Sequence, residues 1–234
     1  MEGIKLMNRI DTKYVTTCDI LKKVLHDAKE YYFVQEINGM RIMPYATLYY
    51  DTDIAEMYVA HQNGIKTRQK IRIRSYLYSG TSFLEVKRKN NRGRTRKRRI
   101  EIASKKDIKN DVCQKFIDKE SKYSFSMLSA QIENNFNRIT LVNRQKTERL
   151  TIDFGLKFYN IVTDNNFSLD NLVIIELKRN GNLFSPIKNI LREHRIQPSG
   201  FSKYCIGMAL TNNALKRNCI KERLNYVMRL NNRK

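Results

Sequence analysis

Residues 66–74 read K-T-R-Q-K-I-R-I-R, and extended backbone sends successive side chains to opposite faces. As part of a strand over Ile65–Tyr76, this stretch puts Lys66, Arg68, Lys70, Arg72 and Arg74 on one face. Thr67, Gln69, Ile71, Ile73 and Ser75 take the other. Neighbours on one face lie ~7 Å apart. At that distance two like charges repel by about 2 kcal/mol at an effective dielectric near 20, and by about 0.6 kcal/mol in bulk water. A row of this kind is tolerable on a salted open surface. In an enclosed space it needs acids or a bound anion to offset it.

The neighbouring segments repeat the division. In Ser82–Lys89, Phe83, Glu85, Lys87 and Lys89 share a face, with Leu84 and Val86 behind. Lys97, Arg99 and Glu101 share one in Arg94–Ile102. Arg149, Thr151 and Asp153 oppose Leu150, Ile152 and Phe154, and Glu176 and Lys178 share a face with Ile174 in Asn171–Lys178. These patterns predict an α+β fold: an antiparallel β-barrel, or tunnel, of about eight strands with flanking helices. Apolar faces lie under the helices and charged faces turn inward to hold a ligand. Further strands are expected over Ile4–Tyr14, Arg41–Asp51, Asn137–Thr147 and Leu156–Val162. Helices are expected from Thr17 or Asp19 to about Tyr31, over Ile54–Gln62, from Ser104 to about Asn135 with a break near Ser121–Ser124, from Ser185-Pro186, and from Ser202 onward. The whole chain, 1–234, reads as one domain.

Lys and Arg number 45 against 23 Asp and Glu, a net charge of +22. That excess points to polyanions: nucleic acid, an anionic membrane or phosphate-rich ligands. Nucleic acid fits less well, because aromatic interleaving is thin and neither a helix-turn-helix nor a zinc-finger pattern occurs. The four cysteines form no C-x-x-C pair, which argues against a zinc site or a disulfide framework and for reduced thiols in the cytoplasm. The N-terminal segment has no apolar run long enough for a signal peptide, and no stretch approaches a membrane span. His61 reads as a packing residue. Tyr49, Tyr50 and Tyr76 read as core or rim packing, with stacking on a nucleobase as the lesser alternative.

RIDTKY at Arg9–Tyr14, LYYDT at Leu48–Thr52, KTRQKIRIRSY at Lys66–Tyr76, FLEVKRK at Phe83–Lys89 and RKRRI at Arg96–Ile100 form an ordered series. NRQK and ERLTID within Asn143–Asp153, IIELK at Ile174–Lys178 and FSKY at Phe201–Tyr204 complete it. The series resembles the catalytic domain of the vacuolar transporter chaperone (VTC) family, in the triphosphate tunnel metalloenzyme, or CYTH-like, superfamily. The resemblance implies a tunnel whose basic residues hold a triphosphate or polyphosphate with the help of Mn²⁺ or Mg²⁺. Carried over by match, Lys13, Arg72, Arg74, Lys87, Arg144, Arg149 and Lys203 attend the reacting phosphates. Lys97, Lys178 and Ser202 bind substrate, joined through strand parity by Arg68, Lys70 and Arg99. Glu176 matches the metal-binding glutamate, with Asp11, Glu85 or Asp153 as candidate co-ligands.

The superfamily often opens with E-x-E-x-K. Here the stretch is R-I-D-T-K, so only Asp11 is acidic. That tilts the expectation from a two-metal triphosphatase toward polyphosphate synthesis from a nucleoside triphosphate. A triphosphatase and a non-catalytic polyphosphate- or nucleic-acid-binding module remain the alternatives. The family resemblance also brings in a membrane-protein partner as an expectation.

Overall fold

A computed structural model describes residues 9–181 and 183–233. Ten strands form one antiparallel sheet. They are β1 (Arg9–Thr17), β2 (Tyr32–Val34), β3 (Met43–Asp51), β4 (Arg68–Tyr76), β5 (Thr81–Lys89), β6 (Thr95–Ile102), β7 (Ser129–Asn143), β8 (Glu148–Asn160), β9 (Asn166–Leu169) and β10 (Leu172–Asn180). Six α-helices flank the sheet: α1 (Cys18–Ala28), α2 (Glu56–Gln62), α3 (Asp111–Glu120), α4 (Pro186–Glu193), α5 (Lys203–Thr211) and α6 (Lys221–Asn231). The part of the expected first strand before Arg9 lies outside the described residues.

Eight strands run in the order β1-β10-β8-β7-β3-β4-β5-β6, with β2 beside β7 and β9 beside β8. The sheet curls so that its two halves face each other. The segment after α4 shows this. Ser199 N–H donates to Lys13 O at 2.7 Å on β1, while Lys70 Nζ on β4 donates to Ser202 Oγ at 2.8 Å. The expected barrel is not closed, however. Among the described residues no ladder joins β1 to β6. β6 is exposed along most of its length, and the Arg and Lys side chains that crowd it discourage pairing with another chain.

The outer faces carry the core. Ile71, Ile73 and Leu84 are fully buried, as is Ile117 of α3 in the same cluster. Leu150, Ile152, Ile175 and Leu177 form a second cluster with Val24 of α1 and Leu191 of α4. On β4 the burial alternates residue by residue, the cations only partly covered and the opposite face buried.

The structure corrects several expected boundaries. Thr17 occupies the N-cap of α1 without a side-chain cap bond; the Cys18 N–H is instead met by Asn171. Ser104 caps only a short 3-10 turn, in a capping box with Asp107, and Asn110 caps α3. Residues 129–135 belong to β7 rather than to a helix. The Asn pair at 134–135 is a poor helix former, and the segment buries Ile132 between β3 and β8. The two strands expected over Arg149–Phe154 and Leu156–Val162 are one, β8. Gly155 at φ +60° carries that strand through the irregularity where its register with β7 shifts between Asn135 and Asn137. The C-terminal helix is two, α5 and α6, separated by turns.

Nearly all of α5 is buried, so its backbone must approach the sheet closely. A Cβ built on Gly207 falls 2.5 Å from Phe158 Cδ1 and 2.8 Å from Ile132 Cδ1. Gly207→Ala is therefore expected to lower the unfolding free energy by about 1–3 kcal/mol through overpacking. Urea denaturation followed by circular dichroism measures this; an unchanged midpoint would show that α5 shifts freely.

Candidate functional site

The curled sheet encloses a lumen lined by the charged faces. Register explains how its charges meet. Arg72 on β4 lies opposite Glu85 on β5, and Arg72 Nε donates to Glu85 Oε2 at 2.8 Å. Lys97 on β6 pairs with the other oxygen of Glu85. The Glu85 side chain is wholly buried. Burial would raise its pKa, but Arg72, Arg74 and Lys97 outweigh burial and hold it at about 2.

A second acid is shared in the same way. Arg138 on β7 lies opposite Asp153 on β8 and grips it with two hydrogen bonds, Nε to Oδ1 at 2.6 Å and a terminal nitrogen to Oδ2 at 2.8 Å. Lys203, the first residue of α5, donates to the same Oδ2 at 2.7 Å, with its ammonium 2.8 Å above the Phe136 ring centre. Burial opposes ionisation of Asp153, yet Lys203 and Arg138 keep its carboxyl far below the usual range. Glu176 on β10 is similar: burial opposes its charge, and Lys178, Lys13 and Lys87 prevail. Lys178 Nζ sits 2.9 Å from Glu176 Oε2 and donates to Thr151 Oγ1 at 3.3 Å.

The remaining cations exceed these acids. Arg74 Nε and Arg149 Nε are buried without a hydrogen-bond partner among the described residues. Burial, then Arg72 and Arg138, lower the Arg74 guanidinium to about 10. Burial and the Arg72 charge push Lys87 down to about 7, although Glu176 acts the other way. Lys70 falls to about 8 for want of water. Ser202 caps α5, accepting from Cys205 N–H at 3.2 Å, and receives the Lys70 bond. Lys13 Nζ donates to Phe201 O at 2.9 Å. At the end of β4, Arg68 donates to Ile65 O at 2.9 Å. His61 lies near it, lowered to about 3 by burial and by Lys70, Arg68, Arg223 and Lys13.

Lys13, Arg68, Lys70, Arg72, Arg74, Lys87, Lys97, Arg149, Lys178, Glu176, Lys203 and Ser202 thus gather round one lumen. Arg99 lies at its edge, exposed, with its guanidinium 4.4 Å from the Phe83 ring centre. Arg144 stands apart. It is exposed at the β7–β8 turn, donates to Glu30 O at 2.6 Å and covers the Phe33 ring at 4.7 Å. Arg138 was absent from the sequence expectation. Its signal was present, since Ile139 and Leu141 mark the apolar face of that strand and leave Arg138 on the inward one.

Glu85 and Asp153 are each shared by two cations, and Glu176 is paired with Lys178. Among the described residues no group of three or more His, Cys, Asp or Glu side chains could hold a metal. Glu176 offers a metal one carboxylate on the inward face of β10, with Lys178 on one of its oxygens. Mg²⁺ characteristically binds through one or two carboxylates together with substrate phosphates and water.

The VTC domain family model matches residues 8–212. Among solved structures, the fold is similar to "Putative adenylyl cyclase HpAC1 from Hippeastrum", described as having a dominant triphosphatase activity, with TM-score 0.55 and 13% identity over 87% of this chain and 96% of that one. The PH1819 protein of Pyrococcus horikoshii OT3 is similar with TM-score 0.47 and 13% identity over 86% of this chain and 98% of that one. No curated protein matches by sequence.

A carboxylate whose folded pKa is lowered stabilises the fold above its unfolded value and ceases to do so as pH falls through the folded one. Glu85 should therefore contribute stability that disappears between about pH 4.5 and about pH 2. Glu85→Gln, which strands Arg72 and Lys97, is expected to cost about 3 kcal/mol at pH 7 and to flatten that acid limb. Thermal unfolding across the pH range reads both effects.

Proposed function

The chain belongs to the VTC domain family, and on that premise we propose that it is a polyphosphate polymerase: it transfers the γ-phosphoryl group of a nucleoside triphosphate to the end of a polyphosphate chain. One observation supports this above others. Among the described residues the lumen holds buried, unpartnered Nε atoms at Arg74 and Arg149, while the buried acids Glu85 and Asp153 are occupied by cations. Donor and acceptor are both polyanions, and such a surplus suits both.

Phosphoryl transfer asks for positioning and charge neutralisation more than for covalent help. Arg72, Arg74, Arg149 and Arg138 offer guanidinium forks that match phosphate oxygens, and Lys87, Lys70 and Lys13 supply point charges. Arg72 and Lys97 are held in place by Glu85, and Arg138 and Lys203 by Asp153, so these cations are set before substrate arrives. Glu176 would hold Mn²⁺ or Mg²⁺, which supplies Lewis-acid neutralisation of phosphate oxygens when bound. Arg144 is too remote for this set and serves a chain only outside the lumen.

The identity of the acceptor separates polymerase from triphosphatase. Water must lose a proton as it attacks, and Glu85 and Asp153 are tied to cations rather than free to take one. A terminal phosphate is already anionic at neutral pH and needs no base. Triphosphate hydrolysis is the second reading, favoured by the likeness to the Hippeastrum fold. We take residues 1–234 as one such domain. No helix among the described residues is long and apolar enough to cross a membrane; a membrane-protein partner and a cytoplasmic location belong to the proposal.

The test is incubation with ATP and Mn²⁺ or Mg²⁺, with and without a short polyphosphate primer, with phosphate products resolved on a gel. Long chains with ADP are expected, and Glu176→Gln should abolish the metal-dependent turnover. Orthophosphate without chains would make the protein a triphosphatase. A pH effect is also expected. Lys87 at about 7 and Lys70 at about 8 lose their charge as pH rises through those values, and a bound anion favours the charged forms. Tripolyphosphate affinity should therefore fall between pH 7 and pH 8, with proton uptake on binding detectable by calorimetry in buffers of different ionisation enthalpy.

A further inference from the structure

At one end of the lumen the inward side chains change from cations to rings. Tyr45 on β3 lies opposite Tyr76 on β4, and Phe83 on β5 lies opposite Arg74, one inward step from Tyr76. The Tyr45 and Tyr76 ring centres are 4.9 Å apart, and those of Tyr76 and Phe83 are 5.8 Å apart at 83°. Beneath them Phe136 stacks on Tyr45 at 5.3 Å with the planes 7° apart.

Phe136 is buried, but Tyr45, Tyr76 and Phe83 are only half-buried. Tyr45 has one face on Phe136 and Phe83 carries Arg99, whereas Tyr76 meets Tyr45 at 57° and Phe83 at 83°, so no neighbouring ring lies flat on it. Tyr76 and Phe83 occupy inward positions on β4 and β5, whose other inward residues are largely charged. A purely inorganic phosphate chain finds no partner on them. Two guanidiniums border the rings: Arg99, and Arg138 at 5.0 Å from the Tyr45 centre. The opposite end of the lumen differs, with His61 set among Arg68, Lys70, Lys13 and Arg223. A ligand matching both ends has a flat, weakly polar ring at one extremity and phosphates along the rest.

We propose that Tyr76, with Tyr45 and Phe83, forms the platform on which the base of a nucleoside triphosphate stacks, so that the phosphate tail points from the Tyr76 end toward Arg68. This rests on reading the lumen as a triphosphate site and adds what that reading leaves open: which way round the donor lies, and why it is a nucleotide. Stacking tolerates any base, since every base has a π face. Arg99 beside Phe83 adds a donor at the lip. The end carrying Arg68 is then left for the growing or incoming phosphate chain.

The experiment compares equilibrium binding of ATP and of inorganic tripolyphosphate, each without divalent metal so that no turnover occurs, to the full chain and to Tyr76→Leu. The variant should weaken ATP on the order of tenfold while tripolyphosphate changes by less than about twofold. Equal weakening of both ligands, or no weakening of ATP, would overturn the proposal. Should Tyr76→Leu fail to fold, a 2-aminopurine nucleoside triphosphate tests the contact on the unaltered protein. Its emission is quenched by stacking, so binding accompanied by quenching supports the platform and binding without quenching removes it. Failure of both tripolyphosphate and ATP to bind the unaltered chain would instead sink the reading of the lumen, and this inference with it.

Discussion

Holding a row of like charges inside a curled sheet is the constraint on which the structure turns. Side chains two residues apart on β4 cannot move away from one another without breaking the strand. The fold therefore brings acids to them through register. Glu85 sits opposite Arg72 across the β4–β5 ladder, and Asp153 opposite Arg138 across β7–β8. Each acid is then shared with a cation from a third element, Lys97 of β6 or Lys203 of α5. A one-residue slip in either ladder would turn the acid outward and leave its partners uncompensated. Electrostatics and strand pairing thus enforce the same register.

The compensation is deliberately incomplete in its effect. Fixed acids position some cations, while others keep donors with no partner among the described residues, as at Arg74 Nε and Arg149 Nε. The free protein carries that cost in depressed basicity at Lys87 and Lys70. An anion that fills the lumen relieves it, so substrate affinity and fold stability are linked through the same side chains.

Much of this was legible in the sequence because period-two alternation is simple to read. The inward placement of Arg72, Lys87, Glu176 and Lys178 follows from parity alone, as does the burial of Ile71, Ile73 and Leu84 behind them. What parity does not supply is the position of a register shift. The irregularity near Asn135–Asn137 and the left-handed Gly155 hide inside what reads as a helix end and a strand break, so β7 and β8 were each seen in pieces. Arg144 shows the converse limit: a motif match places a residue in order along the chain, whereas a tight turn carries its side chain outside. Closure is equally invisible to pattern reading, because nothing in the composition of β1 or β6 states whether the two edges meet.

That unjoined edge has a mechanical consequence. In a sealed ring of strands, any widening stretches every ladder in turn. Here the wall resembles a split collar, and its girth can change by a small swing of the β5–β6 hairpin without rupture of a single main-chain bond across the split. The two halves are tied across the bore by side-chain contacts to the segment before α5, Lys70 to Ser202 from one side and Lys13 to Phe201 O from the other. Calibre in this molecule is thus a property of its long lysine side chains rather than of its strand count.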